Sequence, residues 1–316
     1  MRSFLWRWTR RCPSSLHGRH SGGLLLLLAA LAGVGFALAG DSVGVEAQEY
    51  SSYQDPEQPA LSFVLSEDQN LAEFQTEFGL SDAQIAEVRA AILKENETLA
   101  AAYAESEQII QANEGLPPEQ IEEKIDASGY HEKVRAAIAE TKSTVEGMLP
   151  EERRAELGPW VDARFARAEM ASSEVSPSGG SGVACRVFAT QYNGYTKNEV
   201  ALPSTKARGH KVVIRRGNHA TRAKVKDVGP WNTIDNYWNS RRRYESMQRW
   251  KDLPHLPRCK PWAEAADRNG YNHGKDQFGR KVLNPAGVDL TPRVASRLGL
   301  RKYENAWVTV RFPWVG

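Results

Sequence analysis

Between positions 231 and 271 the chain places Trp231, Tyr237, Trp238, Tyr244, Trp250, Trp262 and Tyr271, with Asn232 beside the first of them. Flat aromatic faces stack on sugar rings, and neighbouring amides and carboxyls bond sugar hydroxyls, so the chemistry on offer is carbohydrate binding. The same rings also suit the core of a small subdomain pinned by a disulfide. The turn-rich run from Asn269 to Asp276 is rich in Asn and Asp but lacks the spacing of an EF-hand, so no metal ligands are assigned. No Gly-x-Ser-x-Gly, His-Glu-x-x-His, Walker A or Cys-x-x-Cys phrase is present. Serine-hydrolase, zinc-peptidase, P-loop and dithiol chemistries are therefore without support, and no cofactor is expected.

The cysteines and the first 47 residues point to one compartment. Arg2, Arg7, Arg10, Arg11 and Arg19 precede an apolar run from Gly22 to Ala39, and small-residue patterns follow at Ala37-Leu38-Ala39 and Val45-Glu46-Ala47. Residues 1–47 read as an export signal, or as a membrane anchor through residues 22–39 if uncleaved. Either way the remainder is expected to be extracytoplasmic. Cys12 falls in this leader and leaves Cys185 and Cys259, an even count for an oxidising compartment, which are expected to pair.

A net charge of +2 conceals strong segregation. Residues 1–47 carry +3, residues 48–175 carry −17, and residues 176–316 carry +16. The basic part is expected to meet an anionic wall polymer, or the acidic segment of its own chain. Export argues against nucleic acid as the partner.

These features need elements to hold them. Residues 48–60 read as a polar tether. Residues 61–171 read as an acidic α-helical domain: Ser66 with Gln69, and Ser81 with Gln84, have capping-box spacing, and Ile85, Val88, Ile92, Leu99, Tyr103 and Ile110 recur on one helical face until Gly115 and Pro117-Pro118 end it. Residues 172–183 form a Ser/Gly/Pro linker. Beyond it, in residues 184–316, Val187–Tyr192, Lys211–Arg215, Thr221–Lys226 and Trp307–Trp314 read as strands, with a turn at Arg216–His219 and a short helix within Thr291–Leu300.

Three phrases in this last part carry a resemblance. Ala223–Asn232 (AKVKDVGPWN) is similar to the Asp-x-Gly-Pro strand and turn of double-psi β-barrels of the rare lipoprotein A type. Gly287–Leu300 (GVDLTPRVASRLGL) resembles their Ile-Asp-Leu-Ser segment, and Ala189–Gly194 (ATQYNG) resembles their opening strand. Expansins and barwin-like endoglucanases share that barrel. The resemblance implies an α+β chain, in which an N-terminal helical hairpin or bundle precedes a six-stranded double-psi β-barrel with a long insertion.

It also implies an extracellular carbohydrate groove, with Asp227 as catalytic acid/base and Asp289 across the groove. One carboxyl with a raised pKa would protonate the leaving oxygen while the second raises that pKa or stabilises positive charge on the sugar. Substrate contacts are expected at Tyr192, Trp231, Asn232, Tyr237, Trp238 and Tyr271. The residues themselves leave other readings open: Asp227 as a turn carboxylate capping Gly229, and Asp289 as a helix cap before Pro292. The family's Ala-His phrase is missing or displaced to His210, and 62 positions separate the two Asp residues, far more than in the family. The function expected is an exported envelope protein that binds, and in the fullest reading cleaves, peptidoglycan or a related polysaccharide. The alternatives are a non-catalytic expansin-like binding module and a protein-interaction protein acting through the helices.

Overall fold

Ser81 caps a helix as its spacing predicts. Its hydroxyl accepts from the Gln84 N–H, and the Gln84 side chain accepts from the Ser81 N–H at 3.0 Å, satisfying two donors that a helix start leaves open. The computed structural model describes residues 51–172, 182–192 and 197–315. The readings of residues 1–47 as a leader and of most of 172–183 as a linker lie outside the described residues. Helices α1 (Ala60–Leu65), α2 (Asp68–Phe78), α3 (Asp82–Ala112), α4 (Pro118–Ala127), α5 (Tyr130–Met148) and α6 (Arg154–Ser172) come first. At 31 residues α3 is about 46 Å long. It buries Ile85, Val88, Ile92, Leu99 and Ile110 and lies antiparallel to α5, as the ion pairs Lys94–Glu140 and Lys133–Glu105 show.

Two local expectations change. Ser66 ends α1 as its C-cap instead of starting α2: Glu67 is the N-cap of α2, and the Ser66 hydroxyl turns back to the Ser62 carbonyl of α1. Residues 51–59 are held in place rather than forming a loose tether. Ser51 and the Tyr53 N–H bind the Asp162 carboxylate, Tyr53 hydroxyl binds Glu146, and Gln58 is buried. Gly158 makes room for this, since a Cβ there would stand 3.1 Å from the Tyr53 ring.

The C-terminal part closes a six-stranded mixed barrel. Strands β1 (Val183–Gln191), β2 (Glu199–Leu202), β3 (Lys211–Arg216), β4 (His219–Val228), β5 (Ala286–Leu290) and β6 (Ala306–Phe312) run β1-β5-β2-β4-β3-β6 around the ring. The pairs β1/β5 and β2/β4 are parallel and the others antiparallel. Alternate residues fill the interior, among them Cys185, Val187, Val200, Leu202, Val212, Ile214, Val225, Val288, Leu290, Val308 and Val310, the period-2 pattern of a pleated strand. The β3–β4 turn falls at Gly217-Asn218, as the sequence predicts. Gly287 lets β1 and the insertion close on β5, because a Cβ would lie 2.8 Å from Pro261 and 2.9 Å from Val187.

Helices α7 (Trp262–Asn269) and α8 (Pro292–Arg297) complete the barrel part. The disulfide Cys185–Cys259, with Cα atoms 5.0 Å apart, fastens the insertion to β1. Inside the insertion the fully buried Arg242 meets Asp235 at 2.7 Å and donates to the carbonyls of Pro257 and Lys260, while Asp235 accepts from the Trp262 N–H. The pair is thus hydrogen-bonded as a buried charge must be.

The described residues fall in one compact unit. Phe63 of α1 packs 4.9 Å from Phe188 and 5.9 Å from Trp307, and Tyr103 of α3 packs 4.9 Å from Trp231. Opposite charges match across the seam at Arg186–Glu67, Arg216–Asp68 and Lys275–Glu122. Phe188 and Trp307 project outward from the barrel, and the helices supply their apolar cover. No helix among the described residues is long and apolar enough to cross a membrane.

Candidate active site beneath helix α3

The strand register aligns four side chains in one row. Thr190 on β1 is opposite Asp289 on β5, Asp289 is opposite Ala201 on β2, and Ala201 is opposite Asp227 on β4. Their neighbours Ala189, Val200, Val225, Val288 and Leu290 fill the barrel, so the row stands on the outer face. A register shift between Val200 and Ala201 brings Asp227 into it. The two aspartates are separated by two strand spacings, about 10 Å between Cα atoms, and the small Ala201 leaves the gap open.

Helix α3 roofs this row. Between them lies a cavity of about 410 Å³, lined from α3 by Leu99, Tyr103 and Glu107 and from the barrel by Gln191, Asp227 and Asp289, among others. Asp289 is deep, only 7% exposed. Burial pushes its carboxyl up to about 7 from 3.8; the Thr190 hydroxyl, which donates to it, works against this, and the negative charges of Glu107 and Asp227 add to it. Asp289 therefore keeps its proton into the neutral range. The Asp227 side chain is 48% exposed, with Arg208 3.6 Å away, and marks the solvent side of the cavity.

Both bland readings of these carboxyls give way to the geometry. Asp227 accepts from the Val228 N–H rather than capping Gly229, whose N–H donates to the Leu202 carbonyl. Asp289 faces Thr190, and Thr291 is the N-cap of α8.

Of the six expected substrate contacts, Tyr192 and Trp231 line the cavity. Trp231 is 2% exposed; its indole meets Tyr103 edge-on and donates through Nε1 to Asn284, while the backbone N–H of Trp231 donates to the Tyr103 hydroxyl at 2.9 Å. The other four lie elsewhere. Asn232 is buried and accepts from the Gln277 N–H. Tyr237 and Trp238 are barrel core, with Trp238 stacked 4.8 Å from Phe312. Tyr271 packs on Trp262 and donates to the Pro254 carbonyl. These rings have apolar partners on their faces, so none is a platform for a sugar. His210 stacks on Trp314, 4.4 Å away, and is not among the cavity residues.

The roof is clamped by a residue that the sequence does not advertise. Arg280, wholly buried, bonds Asp276 at 2.6 Å and the Trp231 carbonyl at 3.0 Å on the barrel side, and Ser106 at 3.2 Å and Glu107 on α3. Its guanidinium also lies 4.9 Å from the Tyr103 ring centre, over the ring face. Among the described residues no group of three or more His, Cys, Asp or Glu side chains is placed to hold a metal.

The arrangement can transfer a proton from Asp289 to a ligand atom and place a second carboxyl beside the charge that develops. A family model described as a domain of unknown function (DUF8814) matches residues 183–311, the barrel with its insertion. Searches of the curated proteins and of the solved structures returned no match.

Proposed function

We propose that this chain is an exported envelope protein with a double-psi-type barrel, and that the cavity beneath α3 takes a sugar residue of peptidoglycan or a related wall polysaccharide. The observation that carries the reading is the shared cavity: Asp289 buried, with its carboxyl pushed up by that burial, Asp227 at the mouth, and only Ala201 between them. A volume of about 410 Å³ suits a small ligand, here a chain end or a short oligosaccharide rather than a continuous strand.

In the catalytic form of this proposal Asp289 gives its proton to the glycosidic oxygen as the C–O bond breaks. Asp227, two strands away, stabilises the positive charge that grows on the ring. Attack by a hydroxyl of the same sugar returns a proton to Asp289, so one carboxyl serves both transfers. The roof buries Asp289, and its low-polarity surroundings strengthen the electrostatic contacts made there.

The test is mass spectrometry of soluble products after incubating residues 49–316 with peptidoglycan sacculi, beside Asp289→Asn. Anhydro-sugar products made only by the unmodified protein are expected. Co-sedimentation of both proteins with no product refutes cleavage and leaves the binding module. Absence of both product and co-sedimentation refutes the wall-glycan reading.

A further inference from the structure

The outer face that carries Asp227 continues along β4 and onto β3. Lys211, Arg215, Arg222, Lys224 and Lys226 are all exposed there, while Val212, Ile214, Ala223 and Val225 point inward. Lys211 is directly opposite Lys224, and Arg222 is opposite Val213. Like charges facing each other across a strand pair are destabilising without a counter-charge. Basic side chains of the barrel part that face the helices have one, as Arg186, Arg216 and Lys275 do. The five on β3 and β4 make no ion pair among the described residues; Glu199, in register with Lys224, is the acidic neighbour on this face. The strip thus has a large uncompensated positive field, and it leads to the cavity mouth, where Arg208 meets Asp227.

We propose that the outer face of β3 and β4 is a docking track for a carboxylate-bearing polysaccharide whose free end enters the cavity between Asp227 and Asp289. Entry of the end rests on the glycan reading of that cavity; the track does not. Charge complementarity selects a polyanion. One feature favours a glycan over a single-stranded nucleic acid: the strip positions between the cations are Val213 and Ala220, which offer no ring for base stacking.

The probe is polygalacturonate, titrated calorimetrically into residues 49–316, with neutral dextran as control. Saturable binding of polygalacturonate alone is expected, weakening by roughly tenfold or more between 50 and 300 mM salt as exposed charges are screened. The triple variant Lys211→Gln, Arg222→Gln, Lys224→Gln removes only exposed groups. It should keep the unmodified thermal midpoint and lose roughly tenfold in affinity at low salt. Polygalacturonate binding is read apart from product release from sacculi: binding without product refutes the cavity reading and leaves the track, whereas no binding refutes the track. The proposal is overturned if polygalacturonate does not bind at 50 mM salt. Undiminished binding by the triple variant, or displacement of polygalacturonate by duplex DNA at equal charge concentration, also overturns it.

Discussion

Replacing Asp289 by Asn should make the protein more stable, by an amount that depends on pH. The folded carboxyl loses its proton near 7 and the unfolded one near 3.8. Between these values the folded state holds more protons than the unfolded state, so stability falls as pH rises through this window and levels off above it. From pH 5 to pH 8 the unfolded carboxyl gains about three decades of ionisation and the folded one about one. The difference, about two decades, is roughly 2–3 kcal/mol lost from the wild type. Glu95 and Asp267, also buried and raised to about 7, add slopes of the same sign, so only the difference between variant and wild type isolates Asp289. Asn keeps an acceptor for the Thr190 hydroxyl and cannot ionise. Urea unfolding at pH 5 and pH 8 is the assay. The variant should gain roughly 2–3 kcal/mol relative to wild type on going from the lower to the higher pH. A difference that stays within about 0.5 kcal/mol across that range refutes the claim that the cavity holds Asp289 protonated.

Three other variants probe the scaffold. Arg280→Met leaves Asp276 buried without its partner and frees Glu107, so urea titration should show a loss of about 3–5 kcal/mol. Trp238→Ala should cost about 3–5 kcal/mol of stability through the cavity left beside Phe312, while glycan affinity measured on the folded fraction stays unchanged; a specific loss of affinity would restore Trp238 as a contact. Cys185→Ser with Cys259→Ser removes a crosslink spanning 74 positions and should lower stability by roughly 2–4 kcal/mol, seen as a drop in Tm that a reductant reproduces in the wild type.

Which features were legible follows from how local their causes are. The Ser81–Gln84 box, the hairpin at Gly217-Asn218 and the alternating β6 strand are decided within a few residues, and the structure has all three. Ser66 carries the same spacing as Ser81 but follows the end of α1, whose carbonyl at Ser62 takes its hydroxyl instead. Strand β2 is four residues long, too short for periodicity to show, and exists because β4 and β5 flank it. Burial of Tyr237, Trp238 and Tyr271 is a tertiary property, for which composition offers the stacking platform and the core equally. The roof is more remote still: Tyr103 lies on the same periodic stripe as Leu99 and Ile110, and nothing in that stripe distinguishes a ring that meets Trp231 of the insertion. Only the opposite charges of the two segments hinted at the seam. The two aspartates were legible through motif resemblance, but which of them holds the proton depends on burial under α3.

Titration of the Asp289 carboxyl tests the central claim most directly. The ¹³C shift of the carboxyl in aspartate-labelled residues 49–316, assigned by its absence in Asp289→Asn, should move with a midpoint near 7. A midpoint below 5 would mean that the carboxyl is ionised throughout the neutral range, and Asp289 would then have no proton to give a glycosidic oxygen.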